Sequence, residues 1–218
     1  MPPFLGPHQG QIIQSTGRPL AQAKAAMILV HGRGANAPSI LTLADEFDQP
    51  EFAYLAPQAA GNTWYPYSFL EELHNNQPGL DSALQAIADV LDDVQKGGIP
   101  PEKTIIGGFS QGACLAMEFI ARHARRYGGA FAFSGGLIGP LGMARQYAGS
   151  LAGTPIFLGC SNIDFHIPEE RVHETAEVLT QMGAAVETRI YPQMGHTVIY
   201  EEIEFVQQMM RTLVQETT

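Results

Sequence analysis

Three side chains far apart in the sequence, Ser110, Asp164 and His196, have the types and settings that nucleophilic acyl chemistry requires. Ser110 stands in Gly107-Gly108-Phe109-Ser110-Gln111-Gly112-Ala113, a Gly-x-Ser-x-Gly pattern. An apolar β-like run from Lys103 to Phe109 precedes it, and a helical pattern rich in Ala, Leu and Met follows from Gln111 to about Arg126. Strand, sharp turn and helix together hold such a serine out from the end of a sheet. The flanking glycines are needed because side chains there would collide with the neighbouring strand and helix. A lone hydroxyl is a poor nucleophile, so the pattern does chemistry only with a base, a carboxylate to orient that base, and donors for an oxyanion. Without those, the same residues would make a Gly-rich strand-to-helix turn, such as one that binds phosphate.

Among the seven histidines, His196 is best placed as the base, on a short Met194-Gly195-His196 loop between a strand and a helix. His123 and His173 fall within helical patterns, His8 and His74 in expected surface segments, and His31 in a glycine turn. His166 competes; being on the loop of Asp164 itself, it is expected to line the pocket. Asp164 would accept a hydrogen bond from the His196 ring and so hold the tautomer that takes the Ser110 proton. Its alternative role is to stabilise a turn. The oxyanion donors expected are the backbone N–H groups of Gln111, the residue after the serine, and of Arg33 in the His31-Gly32-Arg33-Gly34 turn. The Arg33 side chain is free either to meet an anionic substrate or to face solvent.

These residues must be positioned by alternating elements. Ala25 to His31, Phe52 to Pro57, Lys103 to Phe109, Gly129 to Ser134, Pro155 to Cys160 and Val186 to Tyr191 read as strands, being short apolar runs closed by Gly or Pro. Helices are expected over Ser39 to Phe47, Gly79 to Gln95, from Gln111, around Val172, Ala176 and Leu179, and from Ile199 to Leu213. The alternation predicts an α/β fold, a mostly parallel sheet with helices on both faces, in one domain over residues 1–218. Ser110, Asp164 and His196 each follow a strand at its carboxyl end, where such sheets gather functional groups. Their chain order is that of α/β-hydrolases. Gln58 to Pro78 has no clean period but holds Trp64, Tyr65 and Phe69, expected to wall a substrate pocket. Gly135 to about Gly153 reads as a loose Gly-rich connection.

With 45% hydrophobic and 16% charged residues, the 218-residue chain can bury a substantial core. A formal net charge of -10 disfavours nucleic acid or an anionic membrane as a main partner. Arg122, Arg125 and Arg126 form a small basic cluster read as a solvated helix end. Cys114 and Cys160 have no metal or redox spacing and are expected to be reduced, buried core residues. Met1 to Arg18 lacks a basic start followed by an apolar run, so a cytoplasmic protein without a membrane span is expected.

The His31 to Gly34 turn, Trp64-Tyr65-Pro66, the serine motif, the Asp164 to Pro168 loop and Met194-Gly195-His196, in that order, resemble the phospholipase/carboxylesterase family of α/β-hydrolases, which includes acyl-protein thioesterases. The resemblance implies serine-dependent hydrolysis of esters or thioesters without metal or cofactor, and often a homodimer. Two features depart from the family's usual pattern: His166 stands where relatives carry a small or aliphatic residue, and the segment after Trp64 does not resemble a long-chain acyl channel. Both bear on the substrate and leave the triad untouched. A carboxylesterase for small to medium esters is expected. Lysophospholipase and acyl-protein or acyl-CoA thioesterase activity are the alternatives, and a non-catalytic ligand carrier is a further one. A cysteine-dependent hydrolase of dienelactone type would need cysteine at position 110.

Overall fold

Residues 6–215 are described by a computed structural model. All six expected strands form: β2 (Ala25–Val30), β3 (Phe52–Pro57), β4 (Thr104–Phe109), β5 (Gly129–Phe133), β6 (Pro155–Ser161) and β7 (Ala185–Tyr191). They are mutually parallel, and the central ones are buried on both faces, which is why they read as unbroken apolar runs. One further strand, β1 (Ile13–Gly17), pairs antiparallel with β3 in the register Ile13 to Pro57 through Gly17 to Ala53. It lies within the opening stretch that carries no structural signal, because its Ile-Gln-Ser-Thr-Gly is polar, mostly exposed and held only by a distant partner. The first five residues of that stretch lie outside the described ones. The sheet order is β1-β3-β2-β4-β5-β6-β7.

The helices cover both faces. Helices α3 (Gly79–Lys96), α4 (Gln111–Arg122) and α5 (Glu169–Gln181) bury Leu80, Ile87, Leu115, Ile120 and Val172 against Ile28, Ile106 and Leu158. Opposite them, α1 (Ala37–Leu41), α2 (Leu43–Phe47) and α6 (Tyr200–Gln215) pack Ile40, Phe47, Val206 and Met210 against Met27, Phe131 and Phe157. The single helix expected from Ser39 is thus two. An Asn36/Ser39 capping box starts the first earlier, and Thr42 caps its end and opens the second. Among the described residues no helix is long and apolar enough to cross a membrane.

Every residue of α4 from Gln111 to Ala121 is buried. The helix stops at Arg122, four residues before its expected end, where the chain turns to bury Tyr127, whose N–H donates to Thr154 Oγ1. Arg125 and Arg126 therefore lie outside it, while Arg122 closes on the buried Glu118 at 2.6 Å. The connection from Gly135 is not loose. Glu118 accepts the Ile138 N–H, and Arg145 donates to the Ile138 carbonyl, tying the segment to α4.

The turn from β4 into α4 is as tight as its glycines suggest. A Cβ on Gly108 or on Gly112 would drive into the Val30 carbonyl oxygen of neighbouring β2. Backbone on both sides leaves nothing flexible to yield. We expect Gly112→Ala to destabilise the fold by about 1–3 kcal/mol or more, the cost of overpacking. The midpoint of urea unfolding would show it, and an unchanged midpoint would mean that α4 can move off β2.

Candidate active site

Ser110 sits at the junction of β4 and α4 with φ 56° and ψ -122°, a left-handed conformation uncommon outside glycine. Its N–H donates to the Phe133 carbonyl of β5 at 3.0 Å, which keeps the side chain aimed off the sheet edge. His196 Nε2 lies 2.9 Å from Ser110 Oγ, and His196 Nδ1 lies 2.7 Å from Asp164 Oδ2. Ser110 leaves the end of β4, Asp164 that of β6 and His196 that of β7, so connections from the same end of the sheet converge on one point.

Each partner is itself held. Asp164 Oδ1 accepts the N–H groups of His166 and Ile167, at 2.8 and 3.1 Å, leaving Oδ2 for the histidine. The Cys160 thiol also points at Oδ2, 3.8 Å away, a contact with no signal in the sequence. Burial opposes ionisation of Asp164, but the hydrogen bonds from His196, His166 and Ile167 together outweigh it and hold the carboxyl below its usual range. The histidine loop is pinned by Ser161 Oγ on the Gly195 N–H, Asn162 Oδ1 on the Gln193 N–H and Glu202 Oε2 on the Ile199 N–H. The Phe109 ring, 4.8 Å from that of His196, supports its other side.

Glu202 performs its share in full burial, with Oε1 unpartnered. Burial is the main cause that pushes its carboxyl up to about 7; the Ile199 N–H opposes this and Glu201 adds to it. Because the folded value exceeds the unfolded one, Glu202 costs no stability at low pH and a growing amount as pH rises toward 7, reaching about 3 kcal/mol. Glu202→Gln, which keeps an acceptor for Ile199, is expected to raise stability by about that much at pH 8 and by less than about 1 kcal/mol at pH 5. Urea unfolding at the two pH values tests this; an equal gain at both would rule out titration as the cause.

The His31 to Gly34 turn follows β2, which neighbours β4 in the register Val30 to Gly108. A methyl on Gly32 would stand 3.5 Å from Ser110 Cβ, so the turn abuts the serine. Among the described residues, the N–H groups of Arg33 and Gln111 find no hydrogen-bond acceptor. His31 braces the turn, its Nδ1 donating to the Gly32 carbonyl and its Nε2 accepting the Ala59 N–H. The Arg33 guanidinium is engaged with the Pro66 and Tyr67 carbonyls at 2.9 and 2.6 Å rather than standing open.

A cleft of about 620 Å³ opens over Ser110 and His196, and Tyr65, Phe69, His166, Ile167, Arg33 and Gln111 line it. Trp64, expected beside them, does not line it. Its indole is fully buried, lies tilted against the His31 ring at 4.9 Å and donates to the His31 carbonyl at 2.8 Å. Trp64 thus supports the wall from beneath. His166 packs edge-on against the His196 ring at 4.7 Å. Cys114 is buried as expected and also lines the cleft. His8, expected at the surface, is buried and bridges the Trp64 carbonyl and the Ala60 N–H. Gln111 has a second task that sequence reasoning missed. Its side chain accepts the Trp64 N–H and donates to the Tyr65 carbonyl, fastening the aromatic loop to α4.

The phospholipase/carboxylesterase family model matches residues 11–214. The chain belongs to that family. Membership makes it a serine ester hydrolase with the α/β-hydrolase fold. It is similar to the crystal structure of a phospholipase/carboxylesterase from Dyadobacter fermentans, with 42% identity and a TM-score of 0.90 over 95% of this chain and 99% of that one. Among curated relatives, a probable carboxylesterase SOBER1-like of Arabidopsis thaliana is 25% identical, covering 91% of this chain and 82% of its own. Acyl-protein thioesterase 1 of Candida albicans is 27% identical, covering 89% and 94%.

Proposed function

We propose that this member of the family is a carboxylesterase for small to medium esters, working through an acyl-enzyme on Ser110. The observation that carries the proposal is the unbroken chain of hydrogen bonds Ser110–His196–Asp164, at 2.9 and 2.7 Å, beside two unused main-chain donors. Ser110 Oγ attacks the ester carbonyl as His196 Nε2 takes its proton, and Asp164 holds the Nδ1–H and stabilises the imidazolium. The carbonyl oxygen, now negative, accepts from the Gln111 and Arg33 N–H groups, each worth about 2.7–4 kcal/mol in comparable sites. His196 then protonates the departing alcohol, and water activated by the same ring releases the acid. His166 borders the histidine and so faces the alcohol side.

A fluorophosphonate, which phosphonylates activated serines, is expected to label the protein once, at Ser110, and to abolish hydrolysis of aryl esters. Labelling elsewhere, or activity that survives it, would overturn the assignment. The Candida relative's name favours a thioesterase as the second reading. A series of aryl esters of rising acyl length separates the two, with a peak at short chains expected and a peak at long chains favouring the alternative.

A further inference from the structure

The inner end of the cleft contains polar groups that hydrolysis at Ser110 does not use, and a role for them in substrate selection rests on that hydrolysis. The leaving oxygen must face His196 Nε2 to be protonated, so the acyl group leaves Ser110 the other way, along α4. Cys114, four residues on and about 6 Å further along the axis, lines that path. The Tyr65 hydroxyl lies beside its thiol. Tyr65 is 2% exposed and lines the cleft, yet its hydroxyl has no oxygen or nitrogen partner and only the weakly bonding Cys114 thiol beside it. Behind Phe69, whose ring centre is 5.9 Å from Arg171 Cζ, the fully buried Arg171 also holds one nitrogen, Nη2, without a partner. Its other nitrogens donate to Leu137, Gly139 and Glu174. Interiors seldom keep such groups unmatched, and two beside one substrate cleft mark a place for an acceptor.

We infer that the acyl group accepted here carries a neutral oxygen acceptor, such as a keto or ether oxygen, roughly four atoms beyond its carbonyl carbon, where it receives the Tyr65 O–H. Neutrality follows from the wall's own charges. The enclosed Arg145 and Arg171 face Glu118 and Glu174; Arg122, the third cation on Glu118, is partly in solvent, and Arg33 and Glu118 act on the Tyr65 hydroxyl in opposite senses. A substrate carboxylate would add an uncompensated buried anion.

The test compares aryl pentanoate, aryl 4-oxopentanoate and the aryl hemiester of succinate, with kcat/KM for each divided by its rate of alkaline hydrolysis. Wild type is expected to favour 4-oxopentanoate over pentanoate by about tenfold, and the hemisuccinate least. In Tyr65→Phe that preference is expected to fall to about one. Equal or better use of pentanoate by wild type overturns the inference, and this comparison needs no variant. Preference for the hemisuccinate overturns its neutral character, and an unchanged ratio in Tyr65→Phe overturns the part given to Tyr65. Turnover of none of the three in a Ser110-dependent manner would instead overturn the hydrolase reading on which it rests.

Discussion

Ser110→Ala is expected to lower kcat for a short-chain aryl ester by about four orders of magnitude or more, with KM little changed and the fold intact. Ser110 Oγ makes its side-chain hydrogen bond to His196 alone, and His196 keeps Asp164 and its pinned loop when that oxygen goes. The backbone strain at this position is the same for alanine, so thermal unfolding is expected to stay close to wild type. The other nucleophile lining the cleft, Cys114, cannot take over. Burial is the main cause that pushes its thiol up to about 12, so no thiolate forms at neutral pH. Steady-state kinetics with an active-site count decide the matter. A loss of less than tenfold would mean that attack on the ester does not come from Ser110.

Asp164→Asn is expected to cost about 10⁴ in kcat although it changes only one atom. Oδ1 is committed to the His166 and Ile167 N–H groups, which only an oxygen can accept. The amide must then place its NH₂ against His196 Nδ1, which makes Nδ1 the acceptor and moves the ring proton to Nε2. That tautomer cannot take the Ser110 proton. The sign of the pH effect is also set. Because the folded carboxyl is held below its usual range, its ionisation stabilises the fold above the ordinary carboxylate pKa. That contribution is lost as pH falls through the lowered value. The asparagine variant is therefore expected to be less stable than wild type at pH 7 and to converge with it in acid. Kinetics together with urea unfolding at pH 7 and pH 3 would test both parts, and retention of more than a tenth of wild-type kcat would remove Asp164 from the role of orienting the base.

How much of this was legible depends on how local each cause is. Six strands and the principal helices were readable because an apolar run or a helical spacing is written into consecutive residues. The serine turn was readable for the same reason: Gly108 and Gly112 flank Ser110 because the Val30 carbonyl leaves no room for a Cβ. Ser110, Asp164 and His196 could be named because each follows a strand, and a parallel sheet brings strand ends together.

Tertiary structure alone decided what depends on partners with no fixed spacing. Strand β1 exists because β3 offers it an edge, since its own polar residues specify no strand. His8 is buried because the opening segment folds over the Trp64 loop, and Trp64 faces the core because His31 accepts its indole N–H. The Gln111 side chain fastens the aromatic wall, and Cys160 meets Asp164, across gaps in the chain that carry no period. The two arginines behind the cleft were invisible for a further reason. Arg145 and Arg171 looked like ordinary charged residues of a connection and a helix, and only packing took them out of water and left part of their hydrogen-bonding capacity unmet. The sequence thus determined which groups perform the proposed chemistry, since turns and strand ends are local. The shape and polarity of the space offered to a substrate were decided by long-range packing.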